Sequence, residues 1–539
     1  MAEKKTVSAA FAPVGAGRWL IAIAVMFGAF ISVMDVSVVN VALPHMMGSF
    51  GQDLSSITWI STAYSIAEII TITMTGWLSA LIGRKRLYLG SFVLFTSASI
   101  MCGTARKFAE ILTFRTLQGM GGGSLIPVSQ AILRETFPPE EQGMAMAAFG
   151  IGVVIAPALG PVLGGWLTDH FGWPWIFFIN VPFAALGILM VGLFVTDPSY
   201  LRRRVQRIDW VSILLLGVSL TTLQLVLERG EANQWFSSAW IIAGAATSVV
   251  SFTFLVFWDL HSQEPVVNFR LLRDTPLSVG SGIGLVFGLT LYGTTFSLPA
   301  LLQNLLGYTA YDAGLVLLPR GVGLLLLLPV VGWLYNHVNP RILVLAGIGL
   351  VFISYQELAY LSTNVSFDSL LVPLLIMGAG MPFLFVTLST LSLATISREH
   401  MTTASGLYTL GRRVGGNIGY ALVATLVDRR TQIHHAQLIA NVRNLNPAFQ
   451  RYYSRLFNVM TMHGFGSVTA QKKAMALIHG VVNQQAMMMA YNDVSWLFSI
   501  MFLGLLPLVF LLPKKRPNHG PSANTESQAP QQQLTARAV

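Results

Sequence analysis

Cysteine is all but missing from this 539-residue chain. Cys102 stands alone, so neither an intrachain disulfide nor a cysteine-cluster metal site can form, and an inert place near a helix end accounts for it. Charge is scarce as well: only 10% of residues are Asp, Glu, Lys or Arg, against 54% hydrophobic residues and a mean hydropathy of +0.63. That balance excludes a soluble globular protein. A net charge of +10 would suit nucleic acid, yet no basic stripe with interleaved aromatics occurs. The basic residues lie between apolar segments, where the headgroups of membrane lipids are the fitting partner. There is also no glycine-rich nucleotide motif in a strand-to-helix setting and no closely spaced set of metal ligands, so neither an enzyme nor a metal or organic cofactor is expected.

What the chain has is long hydrophobic runs. The first, Trp19–Pro44, is about 25 residues, enough to cross roughly 30 Å of hydrocarbon as a helix. Lys4, Lys5 and Arg18 precede it like a signal n-region, but the run is too long for a signal peptide and reads as a retained span. Further runs near 56–79, 87–104, 111–133, 144–167, 174–195, 208–227, 238–258, 277–303, 313–334, 341–361, 369–394, 404–427 and 495–512 bring the expected spans to fourteen. With that count, Arg84, Lys85, Arg86, Arg134, Arg202, Arg203, Arg204, Arg207, Arg341, Lys514, Lys515 and Arg516 fall on one side. The positive-inside rule then places both termini in the cytoplasm. The expectation is an all-α polytopic membrane protein.

Ionisable groups inside such runs are costly and mark function or structural anchoring. Asp35 lies in the first run, beyond its middle. Tyr64 and Glu68, four apart in the second, share a helix face, as do Arg115 and Gln118, three apart in the fourth. Arg115 is the expected counter-charge for Asp35 or Glu68, either as a permanent tie or as a partner exchanged on protonation. In the fifth run Gly152, Ala156, Gly160 and Gly164 recur every four residues, a small face for close helix contact, joined by Gly165; Pro157 and Pro161 remove backbone donors and favour a bend. Static packing and gating are both compatible with that pattern. Between the second and third runs, Gly76, Gly83, Arg84, Lys85 and Arg86 mark a tight turn with a basic run that anchors topology or pairs with groups that separate during a cycle.

In the second half, Tyr292, Phe296 and Gln303 are candidates for an amphipathic pocket or for ordinary packing. Asp312 and Arg320, eight apart, are expected to pair near a helix end, and Glu357 is a further candidate for titration. Arg412 and Arg413 sit among Gly411, Gly415 and Gly419; one arginine is expected to bind a carboxylate or headgroup while the other snorkels. The stretch from Asp428 to Asp493 is too polar to span, and its Met-rich part, Thr469–Met489, reads as an amphipathic packing helix or a partner surface. The tail after Pro513 is rich in Gln, Ser, Asn and Pro and is expected to be disordered.

Four segments carry a family resemblance. MDVSVVNVALP (34–44), LTFRTLQGMGGG (112–123), APALGPVLGG (156–165) and GWPWIFFINVP (172–182) resemble motifs of the major facilitator superfamily, within it the 14-span drug:proton antiporters of the EmrB/QacA type. One departure is Ala80, where the loop motif usually carries an acidic residue, with Leu81 replacing the usual basic one. The resemblance implies two six-helix bundles, 19–200 and 269–512, with an extra helix pair within 201–268. The cytoplasmic N-terminus is 1–18, a large periplasmic loop occupies 428–494, and the tail is 513–539. It also implies coupling of a proton through Asp35, Arg115 and Glu68. Read from the residues themselves, Asn40, Tyr64, Gln118, Tyr292, Phe296 and Gln303 are the cavity candidates. The function implied is proton-coupled efflux of amphipathic, hydrophobic or cationic small molecules by alternating access, from the inner membrane of a Gram-negative bacterium. A periplasmic adaptor and an outer-membrane channel are the partners implied. Export of a dedicated or acidic metabolite, and a non-transporting scaffold or receptor, are the alternatives.

Overall fold

The computed structural model describes residues 16–197, 208–443 and 446–513. The first fifteen residues, the arginines at 202–204 and 207, and the tail from Lys514 lie outside them. Each of the fourteen apolar runs lies in helix. In chain order these are α1 (Ala16–Phe50), α2 (Trp59–Ile82), α3 (Arg84–Thr104), α4 (Phe108–Gly123) continued past Ser124 by α5 (Leu125–Thr136), α6 (Gln142–Phe171) and α7 (Asn180–Phe194). Then come α8 (Trp210–Arg229), α9 (Ala239–His261), α10 (Thr275–Ala300), α11 (Ala310–Leu334), α12 (Pro340–Leu358), α13 (Phe367–Leu391), α14 (Met401–Ile439), α15 (Pro447–Met462) and α16 (Ser467–Gly504). The protein is all-α: two six-helix bundles and an added pair, α8 and α9, which pack on each other.

Eleven of these helices are long and apolar enough to cross a membrane on their own, twelve if bent α6 is counted. The remaining runs fall short for visible reasons. The fourth run is broken at Ser124 into α4 and α5, and α14 carries Arg412, Arg413, Asp428, Arg429 and Arg430 along its 39 residues. Local chemistry sets the ends. Gly83 takes φ +91° between α2 and α3, a conformation open to a residue without Cβ. Asp209 accepts the Ser212 N–H at 3.1 Å to start α8, and Asp274 accepts the Leu277 N–H at 3.0 Å to start α10.

The small face of α6 packs on α1. A Cβ at Gly160 would stand 2.4 Å from Ser37 Oγ and one at Gly164 3.1 Å from the Val38 carbonyl oxygen, while Ala156 is buried with Met34 and Val38. The Ser37 hydroxyl donates to the Pro157 carbonyl at 3.2 Å, an acceptor near the point where α6 bends by 43° between Gln142–Pro157 and Val162–Phe171. Gly165 is off this face and meets nothing within 4 Å, so it is no part of the contact.

The halves close on each other at one end, where α1 begins. There a Cβ on Gly76 would lie 2.6 Å from Thr403 Cα, one on Gly143 would lie 2.5 Å from the Gly332 carbonyl oxygen, and the Ser405 hydroxyl donates to the Pro127 carbonyl at 2.9 Å. Arg84 is buried in this seam, donating to Glu135 of α5 and, at 2.9 Å, to the Thr402 hydroxyl. Lys85 donates its N–H to Asp197 at 2.7 Å and its Nζ to the Gly192 carbonyl at 2.8 Å, whereas Arg86 is exposed. Ala80 supplies no carboxylate, and Asp197, beyond α7, provides one beside Gly83 instead.

At the other end the segment 428–494, too polar to span and with a Met-rich part read as helix, is built almost entirely of helix. α14 and α16, with 39 and 38 residues, are continuous helices about 58 Å long, far more than a bilayer needs, so they project as a helical hairpin bridged by α15. Arg430 and His434 of α14 donate to Asp493 of α16 at 2.5 and 2.7 Å and tie its base. Ala470, Ala474 and Ile478 are buried at four-residue spacing, and α15 packs on α16, which is the packing reading of the Met-rich stretch.

Candidate functional site

Asp35 is the centre of a buried cluster of hydrogen bonds. Its Oδ2 accepts from Arg115 Nη1 at 2.5 Å; its Oδ1 accepts from Gln118 Nε2 at 2.7 Å and Asn180 Nδ2 at 2.9 Å. Asp35 and Arg115 are 1% exposed, Gln118 and Asn180 0%. Both amides also donate to the Ser99 hydroxyl, at 3.2 and 3.1 Å. Arg115 donates in addition to Gln118 Oε1 at 2.8 Å and the Ile60 carbonyl at 3.2 Å, and its guanidinium lies 4.4 Å from the centre of the Tyr64 ring. The glycines after Gln118 make this possible. A Cβ on Gly119 would stand 2.3 Å from the Tyr64 carbonyl oxygen and one on Gly121 2.5 Å from Phe95 N, so α4 comes against the backbones of α2 and α3. Three donors compensate the carboxylate charge, and adding a proton would cost the guanidinium its partner.

Glu68, one turn along α2 from Tyr64, does not share Arg115. Its partner is Arg413 of α14, a part-buried ion pair that joins the two halves. The Arg413 guanidinium also lies 5.5 Å from the Tyr292 ring centre. It is the innermost tie between the halves: every other direct hydrogen bond between them among the described residues belongs to the Arg84 end. Sequence reasoning expects Arg412 or Arg413 to bind a carboxylate or a headgroup; the structure makes it Arg413 and a carboxylate, and no local signal links it to Glu68, 345 positions away.

A third carboxylate escapes sequence reasoning. Glu228, at the end of α8, accepts from the Thr62 hydroxyl of α2 and from Gln224 Nε2 at 2.5 Å. Asn417, one turn past Arg413, donates to Gln224 Oε1 at 2.5 Å. The added pair therefore staples α2 to α14 beside the Glu68–Arg413 bond. The four-residue spacing of Gln224 and Glu228 is the signal that could have found it.

The remaining candidates divide. Tyr64 and Gln118 are fully buried in the Asp35 cluster and line no open cavity, a correction to their expected role. Asn40 is exposed and accepts from Ser61 at 2.9 Å. Tyr292 and Phe296 of α10 form an aromatic group with Tyr420 of α14, each 6.0 Å from its ring, with Phe296 45% exposed. Gln303 is exposed in the turn after α10, apart from that group. Thr309 caps α11 by accepting the Asp312 N–H at 3.1 Å and donates its hydroxyl to the Asp312 carboxylate at 2.7 Å; Asp312 does not pair with Arg320, because eight residues of helix hold their backbones about 12 Å apart. Glu357 is exposed in the last turn of α12. Arg412 is buried against the face of Phe385, 5.2 Å from its ring centre, and does not snorkel. Pro161 has its side chain outside the described residues.

Two bundles closed at one end around buried charge pairs, with no metal-ligand cluster among the described residues, form the architecture of a membrane transporter. The family model of the Major Facilitator Superfamily matches residues 25–420, and the chain belongs to that superfamily. It is 33% identical over 497 residues to the multidrug export protein EmrB of Escherichia coli strain K12, covering 92% of this chain and 95% of that one. To the fatty acid resistance protein FarB of Neisseria gonorrhoeae it is 31% identical over 506 residues, covering 92% and 96%. The crystal structure of the human organic anion transporter MFSD10 (TETRAN) superposes with a TM-score of 0.58 at 15% identity, covering 90% of this chain and 99% of that one, a likeness of fold alone.

Proposed function

We propose that this protein is a proton-coupled efflux antiporter that exports amphipathic, hydrophobic or cationic small molecules by alternating access. The observation that carries the reading is the pair of buried carboxylates, Asp35 and Glu68, each bound to its own arginine, one bond within a half and one across the halves. Protonating Glu68 removes the charge that holds Arg413 and so loosens the tie between α2 and α14; losing the proton restores it. Protonating Asp35 frees Arg115 inside the first bundle. Both carboxylates are shut from solvent in this conformation, so proton exchange belongs to other arrangements: loss toward the cytoplasm when the Arg84 seam opens, and uptake on the far side when the seam is closed and the opposite end opens. Binding of a substrate favours loss of the proton, release on the far side permits its return, and the differential affinity of the two conformations does the work.

The relatives named for multidrug export and resistance support efflux as the direction and small molecules as the cargo. The basic turn at Arg84–Arg86 supports a cytoplasmic seam, with both termini on that side of a bacterial inner membrane. The helical hairpin that projects on the opposite side supports docking of a periplasmic adaptor in a Gram-negative envelope, leading to an outer-membrane channel.

Substrate-induced proton release from purified protein tests the reading. Wild type is expected to release protons on binding an amphipathic cation, and Asp35→Asn or Glu68→Gln to lose that release while still inserting into the membrane. Arg115→Ala is expected to blunt it. Unchanged release in both carboxylate variants, or flux into proteoliposomes indifferent to an imposed pH gradient, sinks the coupling assignment.

A further inference from the structure

The first bundle and the second hold buried arginines in different ways. Three arginines are buried among the described residues: Arg84, Arg115 and Arg412. Arg84 donates to Glu135 and Arg115 to Asp35. Arg412, 5% exposed, has neither a carboxylate nor a hydrogen-bond acceptor among the described residues; its guanidinium rests on the face of Phe385. It stands eleven residues into α14, about 17 Å from the helix start and so near mid-bilayer depth. Arg413, next along the chain, points elsewhere, to Glu68, and leaves this charge uncancelled.

A second donor stands with it. Tyr408, one turn earlier on the same face of α14, is 0% exposed, and its hydroxyl has no partner among the described residues. Its ring is seated against Gly284 of α10, where a Cβ would come within 3.2 Å, and Arg412 is likewise backed by Gly288, where a Cβ would meet Arg412 Cγ at 3.0 Å. Glycine at both places lets α10 come close against the Tyr408 ring and against the backbone and stem of Arg412. The guanidinium of a buried residue and a buried phenol, one turn apart on α14 and neither with an acceptor among the described residues, are two donors without an anion.

We propose that Arg412 and Tyr408 form a subsite for the carboxylate headgroup of an acidic amphiphile. The surroundings favour an amphiphile over a hydrated inorganic anion. Phe385 is stacked on Phe149 with ring centres 6.4 Å apart. Outward along α14, the stripe Arg412, Gly416, Tyr420 leads to the Tyr292 and Phe296 rings, and Gly416 lets the Tyr292 ring lie against the helix backbone, 2.5 Å from where a Cβ would stand. A headgroup at Arg412 thus has an aromatic wall on the same side of the helix for its tail. The subsite rests on the export reading for its use, since it names one class of cargo, but binding to it needs no gradient.

Binding of decanoate to the purified full-length protein in nanodiscs tests the subsite, with decanol, decyltrimethylammonium and chloride as comparison ligands and empty nanodiscs as background. Wild type is expected to bind decanoate at least about tenfold more tightly than decanol, the margin of a charge-assisted hydrogen bond. Arg412→Gln is expected to erase that margin and shift preference toward decyltrimethylammonium, Arg412→Lys to keep part of it, and Tyr408→Phe to weaken decanoate by a smaller factor. Wild-type decanoate affinity in Arg412→Gln overturns the proposal, as does an equal loss of all three amphiphiles, which marks a packing role. Equal binding of decanoate and decanol, with chloride alone responding to Arg412, assigns the site to an inorganic anion and also overturns it. Wild type that binds decanoate selectively but moves no compound across a vesicle leaves the subsite standing and sinks the export reading instead.

Discussion

Asp35 spends its acceptor capacity on three donors, and Glu68 leans on one arginine; the same kind of group is held in two ways by its neighbours. Removing one partner of a buried pair leaves the other charge uncompensated, at a cost of about 3–5 kcal/mol. Arg115→Ala is therefore expected to lower the melting temperature of detergent-solubilised protein sharply. Asp35→Asn combined with Arg115→Gln, which removes both charges and keeps the amide hydrogen bonds, is expected to restore most of the loss. A double variant no more stable than Arg115→Ala would show that the cluster is held by packing rather than by charge. Asp35 and Arg115 are legible in the sequence because each interrupts an apolar run. Arg413 as the partner of Glu68 is not, since the bond depends on two helices from opposite halves meeting at one height.

Between helices, small residues decide how close the backbones come. Gly160→Val must push Ser37 aside, and overpacking of this kind typically costs about 1–3 kcal/mol, so a lower melting temperature is expected, whereas Gly165→Val, facing open space, is expected to be nearly neutral. Equal destabilisation by the two would contradict the assignment of the α6 face. At the start of α8, outside the spanning helix, Asp209 shows the electrostatic side of element ends. Burial raises its carboxyl, but donation from the Ser212 N–H, the Trp258 indole at 2.9 Å and the Ser212 hydroxyl at 2.9 Å outweighs it and holds the group below the usual carboxylate range. A lowered folded-state pKa means stability that is present above the unfolded value, near 4, and lost as the pH falls through the folded one. Hydrogen exchange in 208–215 is expected to quicken at acid pH in wild type and to be fast already at neutral pH in Asp209→Ala. The α6 face is legible from the four-residue period of its small residues, as is helix in Thr469–Met489 from its recurring apolar residues; that α14 and α16 run on unbroken and pair as a projecting hairpin is not, because it depends on contacts between helices.

For the whole molecule, alternating access requires the seam between α2 and α14 to part. Cys102 is buried, so a cysteine pair placed at Gly76 and Thr403 has no accessible competitor. A Cβ at Gly76 stands 2.7 Å from Thr403 Cβ, closer than the roughly 3.8 Å of a disulfide, and a small separation of the helices accommodates the bond. Oxidised Gly76→Cys/Thr403→Cys protein is expected to stop transport while keeping its fold, and a reductant to restore it. Full transport by the cross-linked protein would mean that the seam does not open. Gln224→Leu or Asn417→Leu removes the staple through α8, and transport is expected to continue with altered pH dependence, because the Glu68–Arg413 tie then lacks its support beside it.

By itself the sequence determined that this is a polytopic helical membrane protein, where its apolar runs lie, which charges sit inside them and which face of α6 is small. These are short-range properties, set by the 3.6-residue turn and by the cost of a charge in hydrocarbon. Only the tertiary structure decided that Glu68 belongs to Arg413, that Glu228 joins them from the added pair, that Tyr64 and Gln118 are buried rather than lining a cavity, and that Arg412 stands without an acceptor. Those outcomes depend on which helices touch, at what height and facing which way, and no pattern within a single helix carries that information.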